Sequence, residues 1–348
     1  MKKYGFKRMI SMILAVGMVA AMAGCGSSST SSAGGAGADD ASGSDKTKIV
    51  LLLNGYLGDL AWYDCSAAGI KAIQDTYPDE VETQVIEMTT DKSKYDSIIA
   101  DTLSEDWDIV VAGSWTMMEY IEAAAEDYPE KEFWFFDEPI EGVSNVYSMS
   151  YNANEGSFLA GMAAASVSES GVIGFIGGED STVVNDSLVG YLEGAAYVNP
   201  DIKAIVSYTG NWDDSAKGKE LALVQYNAGA DVVFQLASNA GVGVFEAAKD
   251  EGFYAIGVDS DQKYIAPDVI ICSMVKKVGK SIYDTVSDME NYFKGGEIWE
   301  ADMATGYIDV VYGDDTMPQQ VSDELKAEVE ALKEKIISGE IEVPTTLE

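Results

Sequence analysis

The sequence predicts an α/β protein of two doubly wound lobes with a cleft between them, joined by a hinge that the chain crosses several times. Three observations carry this. Apolar strands alternate with helices from Thr47 onward, the series begins again near Asn145, and a chain of 348 residues is too long for one compact core. Strands that are apolar throughout, rather than at every second residue, indicate parallel sheets covered by helices on both faces.

The elements follow in order. Residues 48–53 form the first strand and 64–77 its helix, with Ala67, Ala68, Ile70 and Ile73 at helical spacing. Strands at 83–88, 108–112 and 132–136 alternate with helices at 92–104 and 116–127, the last ended near Pro129. A strand at 145–150 leads toward the second lobe and its helix at 155–167. Strands at 172–176, 202–208, 232–235 and 254–258 then alternate with helices near 188–197, 215–227 and 242–251. In the tail, a strand at 269–274 and a long helix at 276–293 are expected to return to the first lobe. A strand near 304–311 and a last helix at 322–338, stopped by Gly339, finish the second. The expected division is residues 47–147 with about 269–303 for the N-terminal lobe, and 148–268 with about 304–345 for the C-terminal lobe.

Doubly wound sheets bind ligands beyond the carboxyl ends of their strands. Those ends carry Asn54-Gly55, Gly113-Ser114, Asp137, Gly177-Gly178, Ala237-Ser238-Asn239 and Asp259, so polar and glycine residues gather where a cleft belongs. Asp137 is left facing either the cleft or the hinge. Gly177-Gly178 lacks the lysine and serine spacing of a phosphate loop. Asp213-Asp214 and Asp314-Asp315 lack the alternating oxygens of a calcium loop and read as solvated loop ends.

The N-terminus reads as an export signal over residues 1–24. Lys2, Lys3, Lys7 and Arg8 precede an apolar run at 9–23 that is too short to span a membrane. Met22-Ala23-Gly24-Cys25 resembles a bacterial lipobox, with Met where Leu is usual, which makes Cys25 the lipidated first mature residue. Residues 25–46 are then a flexible tether, since a Ser, Gly and Ala tract buries too little apolar surface to offset its ordering entropy. Membrane contact is expected through the lipid anchor only.

Charge and absences narrow function. The net charge is −37, and loss of the signal's four positive charges leaves about −41, which repels nucleic acid and anionic lipid. The chain has no His, and Arg8 is its one Arg. The mature protein thus lacks the commonest general base and transition-metal ligand, and the bidentate fork that grips carboxylates and phosphates. Neutral, hydroxyl-rich or ring-bearing ligands remain; no catalysis, cofactor or metal is expected. Cys65 and Cys272 read as two small buried residues, with nothing in their spacing that predicts a disulfide.

Two aromatic residues hold matched places. Trp62 follows the first strand of the first half, and Trp212 lies between a strand and a helix of the second. Indoles facing one another from opposite lobes would clamp a flat ring.

Seven segments stand in order: Asn145-Val146, Glu155-Gly156-Ser157-Phe158-Leu159-Ala160-Gly161, Gly174-Phe175-Ile176-Gly177-Gly178, Asn199-Pro200, Gly229-Ala230-Asp231-Val232, Ile256-Gly257-Val258-Asp259-Ser260-Asp261-Gln262 and Ser273-Met274-Val275-Lys276. Together they resemble the basic membrane protein family of nucleoside-binding lipoproteins, the substrate-binding components of ABC importers. The resemblance covers about residues 48–293 and implies a type I periplasmic-binding-protein fold. It also implies a nucleoside, purine by the family norm, sandwiched by Trp62 and Trp212. Asp259 and Lys276 would then take the ribose hydroxyls, and the backbone near Ser238 would touch the ligand. The Asp59 loop departs from its relatives, reading Ala61-Trp62-Tyr63 where they read Ser-Phe-Asn; Asp59 is counted with the ligand-binding residues. An acidic residue that reads the base edge in relatives appears here as Leu53 or Asn54. Asn offers a donor and an acceptor, so base preference is expected to differ. The implied partners are the ligand and a permease, and the protein is expected to be a monomer. A sugar or another neutral signalling molecule is the alternative ligand, because aromatic clamps with Asp and Asn contacts suit sugars as well.

Overall fold

The computed structural model describes residues 46–288 and 296–345. The export signal, Cys25 and nearly all of the tether lie outside the described residues, as does the end of the helix expected at 276–293.

The first lobe forms around β1 (Thr47–Leu53), where Ile49 to Leu53 are an unbroken apolar run with no exposed surface. Burying each such side chain contributes about 1.5–3 kcal/mol. β2 (Val81–Glu87), β3 (Ile109–Gly113), β4 (Glu132–Phe136) and β5 (Val146–Tyr151) follow, with α1 (Trp62–Thr76), α2 (Tyr95–Leu103) and α3 (Met118–Asp127) between the earlier ones. The tail adds β11 (Ile298–Ala301), giving a parallel sheet in the order β11-β5-β4-β3-β1-β2.

The second lobe repeats the plan. β6 (Val172–Gly177), β7 (Lys203–Tyr208), β8 (Val232–Leu236), β9 (Tyr254–Asp259), β10 (Ile270–Lys276) and β12 (Ile308–Val311) stand in the order β12-β10-β9-β8-β6-β7. β12 is antiparallel to β10. α4 (Ala153–Val167), α5 (Thr182–Val198), α6 (Ser215–Asn227), α7 (Ser238–Glu251) and α9 (Asp323–Ile337) belong to this half, while α8 (Val278–Ser287) packs on α1 of the first. In each sheet the second strand lies outside the first, so the strand order reverses between β1 and β3 and between β6 and β8. The crevice of a doubly wound sheet opens at that reversal.

Helix packing sets where α5 presents its first turn. A Cβ on Gly194 would fall 1.8 Å from the Phe158 carbonyl oxygen, so α4 and α5 meet backbone to backbone there. Among the described residues no helix is long and apolar enough to cross a membrane.

The two-lobed α/β expectation holds, and the lobe boundaries need correction. The strand expected at 269–274 in the first lobe is β10, which pairs with β9 in the second, with Cys272 opposite Ile256. From β9 the chain turns through Lys263–Ile265 straight into β10 beside it in the same sheet, and it re-enters the first lobe through α8 instead. β5 lies wholly in the first sheet, which moves the boundary from 147 to beyond Tyr151. β11, which the sequence reading missed, is a four-residue edge strand with no continuous apolar run. The chain crosses between lobes after β5, β10 and β11.

Candidate ligand-binding site

The carboxyl ends of both sheets converge on one cavity of about 640 Å³, open solvent at its mouth included. Asn54, Trp62, Trp212, Ser238, Asp259 and Lys276 all line it. Asp59 does not.

Asp59 is fully buried one layer behind the wall. Its carboxylate accepts from the backbone N–H groups of Ala61, Tyr63 and Asp64 at 3.0–3.1 Å, and so caps the start of α1. The hydroxyl of Ser238, in the other lobe, donates to the same carboxylate at 3.0 Å. Burial raises the Asp59 carboxyl, against the pull of these four hydrogen bonds. Ser260 Oγ and Gln262 Nε2 donate to the Leu60 carbonyl at 2.7 and 3.2 Å, so this loop fastens the lobes to each other. Asp59→Ala should cost about 0.5–2 kcal/mol of stability through the lost cap. Denaturant unfolding checks this, and wild-type stability in that variant would contradict the capping role.

The polar end of the cavity is a charge cluster. Lys276 Nζ pairs directly with Asp137 and lies 3.9 Å from Asp259. Asp137, left open by the sequence, therefore faces the cleft. Burial pushes Asp259 up to about 7, although Lys276 pulls it down. Burial also works against the Lys276 ammonium, but the two carboxylates outweigh it and hold its proton above the ordinary range. One ammonium with three donors between two acceptors suits a ligand bearing hydroxyls, which can both give and take hydrogen bonds.

The aromatic residues each have one face backed by protein. Trp62 stacks on Phe136 with centroids 5.1 Å apart and 28° between planes. A Cβ on Gly178 would lie 2.4 Å from the Trp212 ring, so only glycine lets that indole rest on the backbone. The Gly177-Gly178 pair thus seats a ring, and Asp214 caps α6 through Lys217 N.

Four wall residues hold positive φ without being glycine: Ser114 (82°), Asp137 (89°), Ser238 (50°) and Asp259 (63°). Each such conformation costs on the order of 1–3 kcal/mol and persists where surrounding structure over-determines it, commonly at ligand sites. All four stand at strand carboxyl ends. Nothing in their side chains announces the strain.

Sequence reasoning missed Trp115, Ser181 and Tyr63 among the wall residues. Trp115 lies two residues beyond β3, beside the flagged Gly113-Ser114, and that position was its signal. Among the described residues, Asn54 Oδ1, Trp62 Nε1, Trp115 Nε1 and Ser181 Oγ are buried without a hydrogen-bond partner. All four belong to this wall. Cys65 and Cys272 are free thiols, the first half-buried. Among the described residues no group of three or more His, Cys, Asp or Glu could hold a metal ion.

A family model described as ABC transporter substrate-binding protein, PnrA-like (Bmp), matches residues 46–346. Basic membrane protein A2 of Borrelia garinii subsp. bavariensis is 32% identical over 306 residues, covering 85% of this chain and 88% of that protein. The ABC transporter nucleoside-binding protein BmpA of Lactococcus lactis subsp. cremoris is 36% identical over 243 residues, covering 64% and 67%. Among solved structures, an ABC transporter solute-binding protein from Aeropyrum pernix K1 superposes with a TM-score of 0.77 at 25% identity, covering 87% of this chain and 94% of that one.

Proposed function

The chain belongs to the Bmp family of PnrA-like ABC transporter substrate-binding proteins, and from that premise we propose that it captures a nucleoside between its lobes for import. The observation that carries the reading is the pairing of two chemistries in one cavity. Trp62 and Trp212 offer ring faces, while Asp137, Lys276 and Asp259 offer hydroxyl partners. A nucleoside has a flat ring at one end and a vicinal diol at the other. The name of the Lactococcus relative supports the same ligand class. The protein holds its ligand by closing and delivers it unchanged to a permease.

Calorimetry with inosine, guanosine, adenosine, their free bases and a panel of sugars tests this. At least one nucleoside should bind one to one and be recovered intact by chromatography. Binding of sugars alone would overturn the ligand class, and released base would mean an enzyme.

The protein works at the outer face of the cell membrane, held there by lipid on Cys25. Palmitate should label the wild type, and Cys25→Ala should release unlabelled soluble protein. Unchanged membrane retention of that variant would defeat the anchor.

A further inference from the structure

The unpaired groups of the cavity wall specify what the ring edge must carry. Asn54 Nδ2 donates to Ser114 Oγ at 3.2 Å and Thr116 Oγ1 at 2.7 Å, the two residues that flank Trp115. Asn54 and Trp115 both line the cavity, and Asn54 Oδ1, an acceptor, and the Trp115 N–H, a donor, are both buried without a partner. Trp115 is held in place from outside. Lys92 Nζ sits 5.0 Å over its ring and 4.0 Å from Glu179 of the opposite lobe.

The balance of unpaired groups is uneven. The Trp62 N–H lies in the plane of an indole that offers its face, so the Trp115 N–H and the Ser181 hydroxyl are left to donate to the ring edge, against the single carbonyl of Asn54. An aminated edge of the adenine or cytosine type would bring two donors and a single ring-nitrogen lone pair. A ring carbonyl beside a ring N–H brings an oxygen with two lone pairs and one donor. That combination matches the wall, and buried polar groups left unpaired are costly.

Resting on the nucleoside reading above, we infer that Trp115 is a specificity-determining residue whose N–H selects heterocycles with a lactam edge, of the hypoxanthine, guanine or uracil type, over aminated rings of the adenine or cytosine type. A site built around such hydrogen bonds rejects analogues that leave its own groups unpaired.

The test is calorimetry of wild type and Trp115→Phe with inosine and adenosine, which differ only at this edge. Phe keeps an aromatic face and removes the N–H. Wild type should prefer inosine by about tenfold, the worth of one well-made buried hydrogen bond. In Trp115→Phe the ratio of the two affinities should fall toward unity. Equal binding of both nucleosides by wild type would overturn the inference. So would a variant that weakens both ligands while keeping the preference, because that is the mark of a packing role. If neither nucleoside binds but a sugar does, the proposed function itself has failed.

Discussion

Lys276→Met should unfold far more easily than wild type at about pH 8 and recover part of the difference at about pH 5. Methionine keeps most of the side-chain volume but leaves the buried Asp259 and the partly buried Asp137 without their cation. Removing one partner of a buried pair costs about 3–5 kcal/mol, since it strands uncompensated charge. The pH dependence follows from linkage. Burial already puts Asp259 at about 7 in the folded state, above its ordinary 3.8. Stability from its bound proton is therefore full below the unfolded value and is lost as pH rises through the folded one. Without Lys276 the folded value climbs further, so the loss deepens and extends to higher pH. Ligand affinity should fall as well, by about 10- to 150-fold, the usual worth of a charge-assisted hydrogen bond. Denaturant unfolding at both pH values reads the first effect and calorimetry the second. Wild-type stability at both would show that the cluster is not the coupled buried unit described.

Trp62→Ala and Trp212→Ala should each weaken ligand binding by about 1–3 kcal/mol, the range for one stacked base. Their stability effects should differ. Trp62 is 8% exposed and packed on Phe136, so its truncation also opens a core cavity worth about 3–5 kcal/mol. Trp212 is only partly buried at the edge of its core, so its loss should be felt mainly by the ligand. Phe at either place should restore much of the binding, because it keeps a ring face. Correct ligand should also perturb indole fluorescence on closure. If both Ala variants bind the natural ligand as tightly as wild type, the clamp is wrong.

Much of this molecule could be read locally. Apolar runs such as those of β1 and β8 announce strands buried on both faces, and the repeated alternation announces two lobes. Strand ends point to the cleft, which is why the positions of Asn54, Trp62, Trp212, Ser238, Asp259 and Lys276 on its wall are legible in the sequence. Asp59 misled because a carboxylate in a loop looks the same whether it meets a ligand or caps a helix. Trp115 escaped notice because one more indole near a strand end carries no mark of its orientation.

The sequence by itself determined the two-lobed α/β plan, the place of the cleft and the chemical character of its wall. Only the tertiary structure decided which sheet takes β10, that Asp137 rather than Asp259 is the direct partner of Lys276, and that Asp59 joins the lobes instead of touching the cavity. The reason is separation along the chain. Burial periodicity is written within a few residues, whereas Lys276 and Asp137 stand 139 positions apart and Ser238 and Asp59 stand 179 apart. Such pairings exist only once strand order and lobe closure have brought the ends together, and neither leaves a local trace in the pattern of residues.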